Sequence, residues 1–114
     1  DPYLDIHTLD IIFKNSDKKT PIKIMTSNLV DKPKGIFVRH LEDLRNEGYK
    51  IEIGVYSSSD LHDRYIMDNQ IFWFSGNSLN HLGNKESFIV SLGEDIRQSM
   101  MATFNSRWKV CVKI

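Results

Sequence analysis

Apolar Leu4, Leu9, Ile12 and Phe13 recur at helical spacing after Asp5, until Asn15-Ser16-Asp17 breaks the pattern, which predicts an amphipathic helix over residues 5–14. Ile22, Ile24 and Met25 form a short β-prone run that ends in Thr26-Ser27-Asn28, and the polar stretch with Pro33 and Gly35 reads as a loop. Between Ile36 and Tyr49 the period returns to that of a helix. Phe37, Leu41 and Leu44 share one face there, and Gly48 stands where a C-terminal cap belongs. The pattern then changes to short apolar runs at residues 51–55, 65–67, 71–74 and 87–92, each bounded by Gly, Asn, Asp or Ser, which predicts four strands in close order. Ile96, Met100, Phe104 and Trp108, four apart after Glu94-Asp95, predict a last helix, and residues 110–114 an edge strand. This succession predicts an α/β layered domain with a mixed sheet.

Composition narrows the picture. The chain has 114 residues, 40% of them hydrophobic, and 15 Lys+Arg against 15 Asp+Glu. That suits one ordered domain over residues 1–114 and excludes a chain held to a polyanion by bulk charge, so any anion site has to be local. The single cysteine, Cys111, excludes an intrachain disulfide and points to a reducing, cytoplasmic setting. No apolar run approaches the roughly 18 residues of a membrane span, so no membrane partner is expected. Asp1-Pro2-Tyr3, without an initiating methionine, reads as the end of a strand. The chain is therefore expected to be part of a longer protein, with a first strand and further domains N-terminal to Asp1.

The polar residues cluster where the strands end: Ser57-Ser58-Ser59-Asp60-Leu61-His62-Asp63-Arg64, Asp68-Asn69, Ser75-Gly76-Asn77-Ser78-Leu79-Asn80 and Glu86. Sheet ends are where α/β folds present ligand-binding groups. His62 and Arg64 are two apart, a spacing that on a strand turns an imidazole and a guanidinium to one face. Such a pair suits a phosphate diester. Arg64 neutralises its oxygens, Ser78 and Asn80 donate hydrogen bonds, and Gly76 lets the backbone approach. Taken alone, His62 is a structural histidine more often than a catalytic one, and Asp68-Asn69 is a turn pair. His7 and His40 belong to helices, and Phe72, Trp73 and Phe74 to the core. His81 with Asp63 lacks any set ligand spacing, so no metal site is expected.

His62-Asp63-Arg64, an apolar strand, Asp68-Asn69, a second apolar strand and Gly76-Asn77-Ser78-Leu79-Asn80 resemble the signature of the phospholipase D superfamily: His-x-Lys, an acidic residue, then a Gly-Ser or Gly-x-Asn turn. Arginine stands here for the usual lysine, Asp68 lies one residue earlier than the common acidic position, and the turn is one residue longer. The resemblance implies a layered domain whose mixed, mostly parallel sheet is flanked by helices. It also implies a metal-independent phosphodiesterase without cofactors, most specifically a nuclease that passes through a phosphohistidine. In those terms His62 is nucleophile or acid/base, Arg64 the phosphate clamp, Ser78 and Asn80 oxyanion donors, and Glu86 the carboxylate that orients His62. Gly76, Asn77 and Ser59 contact substrate, and Asp68 is the structural acid. One such motif per chain implies a homodimer with two His62 side chains across a two-fold axis, and nucleic acid, DNA first, as partner. The alternative is a catalytically inactive module of the same fold that dimerises or binds phosphate or nucleic acid within a larger DNA-associated protein.

Overall fold

A computed structural model describes residues 1, 3–29, 34–79, 84, 86 and 88–114. Asp5 starts helix α1 (Ile6–Lys14): its carboxylate accepts hydrogen bonds from the Thr8 amide at 2.8 Å and the Thr8 hydroxyl at 2.9 Å, satisfying a donor that the first turn leaves open. Leu4 and Leu9 flank that cap at the two positions of a hydrophobic staple, and both are fully buried. Strand β1 (Ile22–Thr26), helix α2 (Lys34–Asn46) and strand β2 (Ile51–Val55) follow. Helix α2 stops short of Tyr49 because a Schellman turn closes it. The Gly48 amide bonds the Arg45 carbonyl at 3.0 Å and the Tyr49 amide bonds the Leu44 carbonyl at 3.2 Å, with Gly48 at φ 103°.

With α2 as the crossover, β1 and β2 pair in parallel, Ile22 opposite Ile51 and Ile24 opposite Ile53. Their alternation turns these isoleucines to one face, where Leu9 and Phe13 of α1 and Phe37, Leu41 and Leu44 of α2 complete the main core. Each such side chain, fully buried, contributes about 1.5–3 kcal/mol, so this layer dominates the stability of the fold. Arg45 joins the layer to the chain end: its Nε donates to the Ile51 carbonyl at 3.2 Å and a terminal nitrogen to the Ile114 carbonyl at 2.7 Å. The opposite face of the sheet carries Gly54, against which Trp108 and Cys111 are pressed from the end of helix α3 (Glu94–Val110). Strand β6 (Val112–Lys113) then pairs antiparallel with β2.

Strands β3 (Arg64–Met67), β4 (Phe72–Ser75) and β5 (Ile89–Ser91) make a second, antiparallel sheet in the order β3-β4-β5. The Asp68 carboxylate builds the β3–β4 turn by accepting from the Gln70 amide at 2.7 Å and the Ile71 amide at 2.8 Å. A terminal nitrogen of Arg97 donates to the Asp68 carbonyl at 3.1 Å and fastens α3 to the same turn. Arg97 also pairs with Glu94 in the first turn of α3, and its hydrogen bond to Glu94 is the main reason that carboxyl lies at about 2.

The fold is α/β, as the element order predicts, but the expected single, mostly parallel sheet is corrected. The described residues form two three-stranded sheets, and β1–β2 is the only parallel strand pair in them. The reason lies in the connections. A parallel pair needs a crossover of about a dozen residues or more, whereas residues 68–71 allow only a hairpin between β3 and β4. Among the described residues, no helix is long and apolar enough to cross a membrane.

Candidate functional site

The strand that carries Arg64 begins at that residue, because the ladder with β4 ends at Arg64 opposite Ser75. His62 therefore precedes β3, in the exposed connection from β2, and the period-two argument that turns both side chains to one face does not apply to it. Beside it, Leu61 is buried and holds the connection down. The His62 ring makes no hydrogen bond among the described residues, so it is open to solvent and to any ligand.

Arg64 is half-buried. Its guanidinium lies over the Tyr3 ring, 5.4 Å from the centroid, and its Nε is shielded from solvent with no hydrogen-bond partner in the described structure. A shielded guanidinium donor without an acceptor is costly unless something supplies one. The Arg64 charge also reaches the Asp1 amino group. That group is held at about 6, first by burial and then by Arg64.

The turn after β4 is built by its own polar groups. Ser75, opposite Arg64 and on the same face of the sheet, is buried and donates its hydroxyl to the Asn77 carbonyl at 2.8 Å. The Gly76 amide bonds the Phe88 carbonyl at 3.2 Å, and the Asn77 side-chain amide bonds the Glu86 carbonyl at 3.1 Å, which ties the turn to the approach of β5. Among the described residues a Cβ on Gly76 would meet the Phe88 carbonyl alone, at 4.0 Å, so their packing does not demand glycine there. Ser78 and Leu79 close the turn onto an anion. The Ser78 hydroxyl lies 2.9 Å from both carboxylate oxygens of Asp1, and the Leu79 amide donates to Asp1 Oδ2 at 2.6 Å.

The structure thus brings Arg64, Ser75, the 76–79 turn, Asp1 and Tyr3 together. Glu86 joins this group through its backbone; its carboxylate is exposed and makes no hydrogen bond to His62. Ser59 lies in an exposed turn before His62, and its side chain makes no hydrogen bond among the described residues. Asp68 stands just past the far end of β3, about 13 Å along the chain from Arg64 at roughly 3.3 Å per residue. It serves the hairpin turn, whose backbone donors hold its carboxyl below the usual range. Asn80 and His81 lie outside the described residues. Among the described residues, no group of three or more His, Cys, Asp or Glu is placed to hold a metal ion.

Three of these residues carry no signal of their own in the sequence. Asp1 and Tyr3 stand at the opposite end of the chain from the motif, and contacts spanning more than 60 positions leave no local pattern. Ser75 was visible only as the first member of the turn motif. Elsewhere, His40 is a bridge rather than a plain surface residue: its Nε2 lies 2.8 Å from Asp10 Oδ1 and joins α1 to α2. Burial pulls the Asp10 carboxyl up, but the hydrogen bond and charge of His40, with the charge of Lys14, outweigh it and leave Asp10 below its ordinary value.

Comparison with protein-family models, curated protein sequences and solved structures gave no match.

Proposed function

We propose that this domain is a metal-independent phosphodiesterase of the phospholipase D type, acting on nucleic-acid phosphodiesters as a homodimer. The observation that carries the reading is the shielded, unpartnered Arg64 Nε beside a turn whose hydroxyl and amide donors already hold a carboxylate. A phosphate oxygen offers the acceptor that Arg64 lacks, and a guanidinium meets phosphate with two parallel hydrogen bonds. In the proposed reaction a ring nitrogen of His62 attacks phosphorus and the P–O bond to the leaving sugar oxygen breaks. The partner copy's imidazolium gives that oxygen its proton. The neutral imidazole so formed then takes a proton from water, which attacks the phosphohistidine and frees His62. Arg64, the turn donors and Asn80 would hold the charge that builds up on the phosphoryl oxygens. The reading also rests on the sequence motif that links His62, Arg64 and the 76–80 turn.

A second reading is favoured by a different observation. Ser78 and the Leu79 amide are engaged by Asp1, and Glu86 makes no bond to His62. This suits a module that binds phosphate or nucleic acid without cleaving it. The two readings separate in one assay, in which the chain is incubated with single- and double-stranded DNA in excess chelator. Cleavage that persists there and disappears in His62→Ala supports the phosphodiesterase. Binding that needs Arg64 but leaves the DNA intact supports the module. Cleavage that requires a divalent ion would sink both.

A further inference from the structure

Tyr3 stands beside Arg64 and is 50% exposed. Its place is set by hydrogen bonds and not by burial. Asp1 Oδ1 accepts from the Tyr3 amide and from the Ser78 hydroxyl, both at 2.9 Å, and Asp1 Oδ2 accepts from the Leu79 amide at 2.6 Å, so one carboxylate ties the backbone of Tyr3 to the 76–79 turn. The Arg64 guanidinium covers one face of the ring, with its carbon 5.4 Å from the centroid. Among the described residues no aromatic ring stacks on Tyr3, and the face away from Arg64 is the open one. An aromatic side chain fixed at its backbone and left half exposed adds little to a core, but it presents a flat apolar surface in a set orientation.

That open face does not depend on what precedes Asp1. The Asp1 amino group donates to the Met25 carbonyl at 3.0 Å, and Leu4 pairs with Leu29 in a parallel bridge, so the first residues run alongside the chain from Met25 towards Leu29. A residue before Asp1 that kept this direction would lie further back along β1, towards Lys23 and away from Tyr3. Charge supplies a second reason to look for an apolar contact here. The chain carries 15 Lys+Arg against 15 Asp+Glu, so a guanidinium on one phosphate holds a polynucleotide weakly, and a contact of another kind has to add to it.

We propose that Tyr3 is the platform on which an unpaired nucleobase stacks while its phosphate lies on Arg64, so that the site takes single-stranded nucleic acid. A base resting on the open face sits about 3.5 Å beyond the ring. The ring in turn rests on the guanidinium, so the phosphate and base of one nucleotide meet both residues. Bases in a duplex already stack on their neighbours, and one of them would have to be unpaired and turned out of the helix to reach Tyr3, which disfavours the duplex. Stacking uses the π-face that every base has, so the platform selects strandedness and not sequence. The assignment rests on the proposed role of Arg64 as phosphate clamp, and adds to it the kind of strand.

The test is fluorescence anisotropy of a short labelled oligothymidylate with the 114-residue chain in excess chelator, beside the same backbone made of abasic sites and a blunt duplex, with cleavage scored separately on gels. Tyr3→Leu removes the ring and Tyr3→Phe keeps it; circular dichroism checks that both fold, as expected for a half-exposed side chain. Tyr3→Leu should weaken oligothymidylate binding about tenfold or more and Tyr3→Phe by less than about threefold. The abasic strand should bind the wild-type chain about as weakly as oligothymidylate binds Tyr3→Leu, which reads the same contact without any substitution. If the ring only steadied Arg64, Tyr3→Leu would weaken the abasic strand by the same factor, and the platform would be overturned. Duplex binding as tight as single-strand binding would overturn it too. Binding that needs Arg64 but ignores Tyr3→Leu refutes the platform and leaves the phosphate clamp standing. Base-dependent binding without cleavage supports the platform and refutes the phosphodiesterase, whereas no Arg64-dependent binding to any strand refutes both.

Discussion

Gly54→Ala tests how the C-terminal segment is seated on the first sheet. A Cβ at position 54 would lie 2.3 Å from Cys111 Sγ and 2.9 and 3.3 Å from two carbons of the Trp108 ring. Favourable carbon contacts begin near 3.5 Å, so the sulfur would have to retreat by more than about 1 Å. It has little room to do so. Sγ is one torsion from the backbone and is held between the Trp108 carbonyl at 3.3 Å and the Lys113 ammonium at 3.0 Å. Relief therefore means lifting residues 108–113 and weakening the β2–β6 pairing of Gly54 with Lys113 and Val55 with Val112. Overpacking costs about 1–3 kcal/mol, and a clash this severe against a pinned atom belongs to its upper half, about 2–3 kcal/mol. Replacing a strand glycine returns about 0.5–1 kcal/mol of backbone entropy, so the net loss expected is about 1–2 kcal/mol. For a domain of this size that lowers Tm by about 3–10 °C. Urea denaturation followed by tryptophan fluorescence and far-ultraviolet circular dichroism measures it. In a double-mutant cycle, Cys111→Ala should recover part of the loss, a coupling of about 0.5–1.5 kcal/mol, because it removes the shorter of the two clashes. Gly54→Ala at or above wild-type stability, with unchanged fluorescence, would refute the close approach of Trp108 and Cys111 to β2.

Gly48→Ala places a Cβ in the left-handed region and should cost about 1–2 kcal/mol, read from the same denaturation curves. Asp10→Asn should remove about 0.5 kcal/mol at neutral pH. The folded pKa of Asp10 lies below its unfolded value, so the stability it contributes is present above that unfolded value and is lost as pH falls through the lower folded one. A difference between wild type and variant that persisted unchanged at the acid end would contradict this. Arg64→Met removes a shielded donor without a partner, so stability should hold or rise by up to about 1 kcal/mol. Phosphate or DNA binding should meanwhile fall at least tenfold, a loss of about 1.4 kcal/mol or more of binding free energy. Loss of stability without loss of binding would make Arg64 a structural residue only.

The local elements were legible because their causes are local. The cap at Asp5, the glycine at 48 and the alternation of Ile51, Ile53 and Val55 act within a few residues, and each element formed where its pattern stands. The turn at Asp68 is of the same kind, since a carboxylate two and three residues before backbone amides closes a hairpin unaided. The candidate site was legible only as a set of residue types. Arg64 and the 76–79 turn do lie together, but His62 falls outside the strand that was to orient it, and Asp1 and Tyr3 enter from the other end of the chain.

What the sequence alone determined is therefore the series of helices and strands and the turns between them. Tertiary structure decided which strand edges meet, why the sheet divides in two, and which charge stands beside Arg64. Strand pairing and anion contacts join groups far apart along the chain. Their free energy depends on edges and cavities that exist only once the layers have packed.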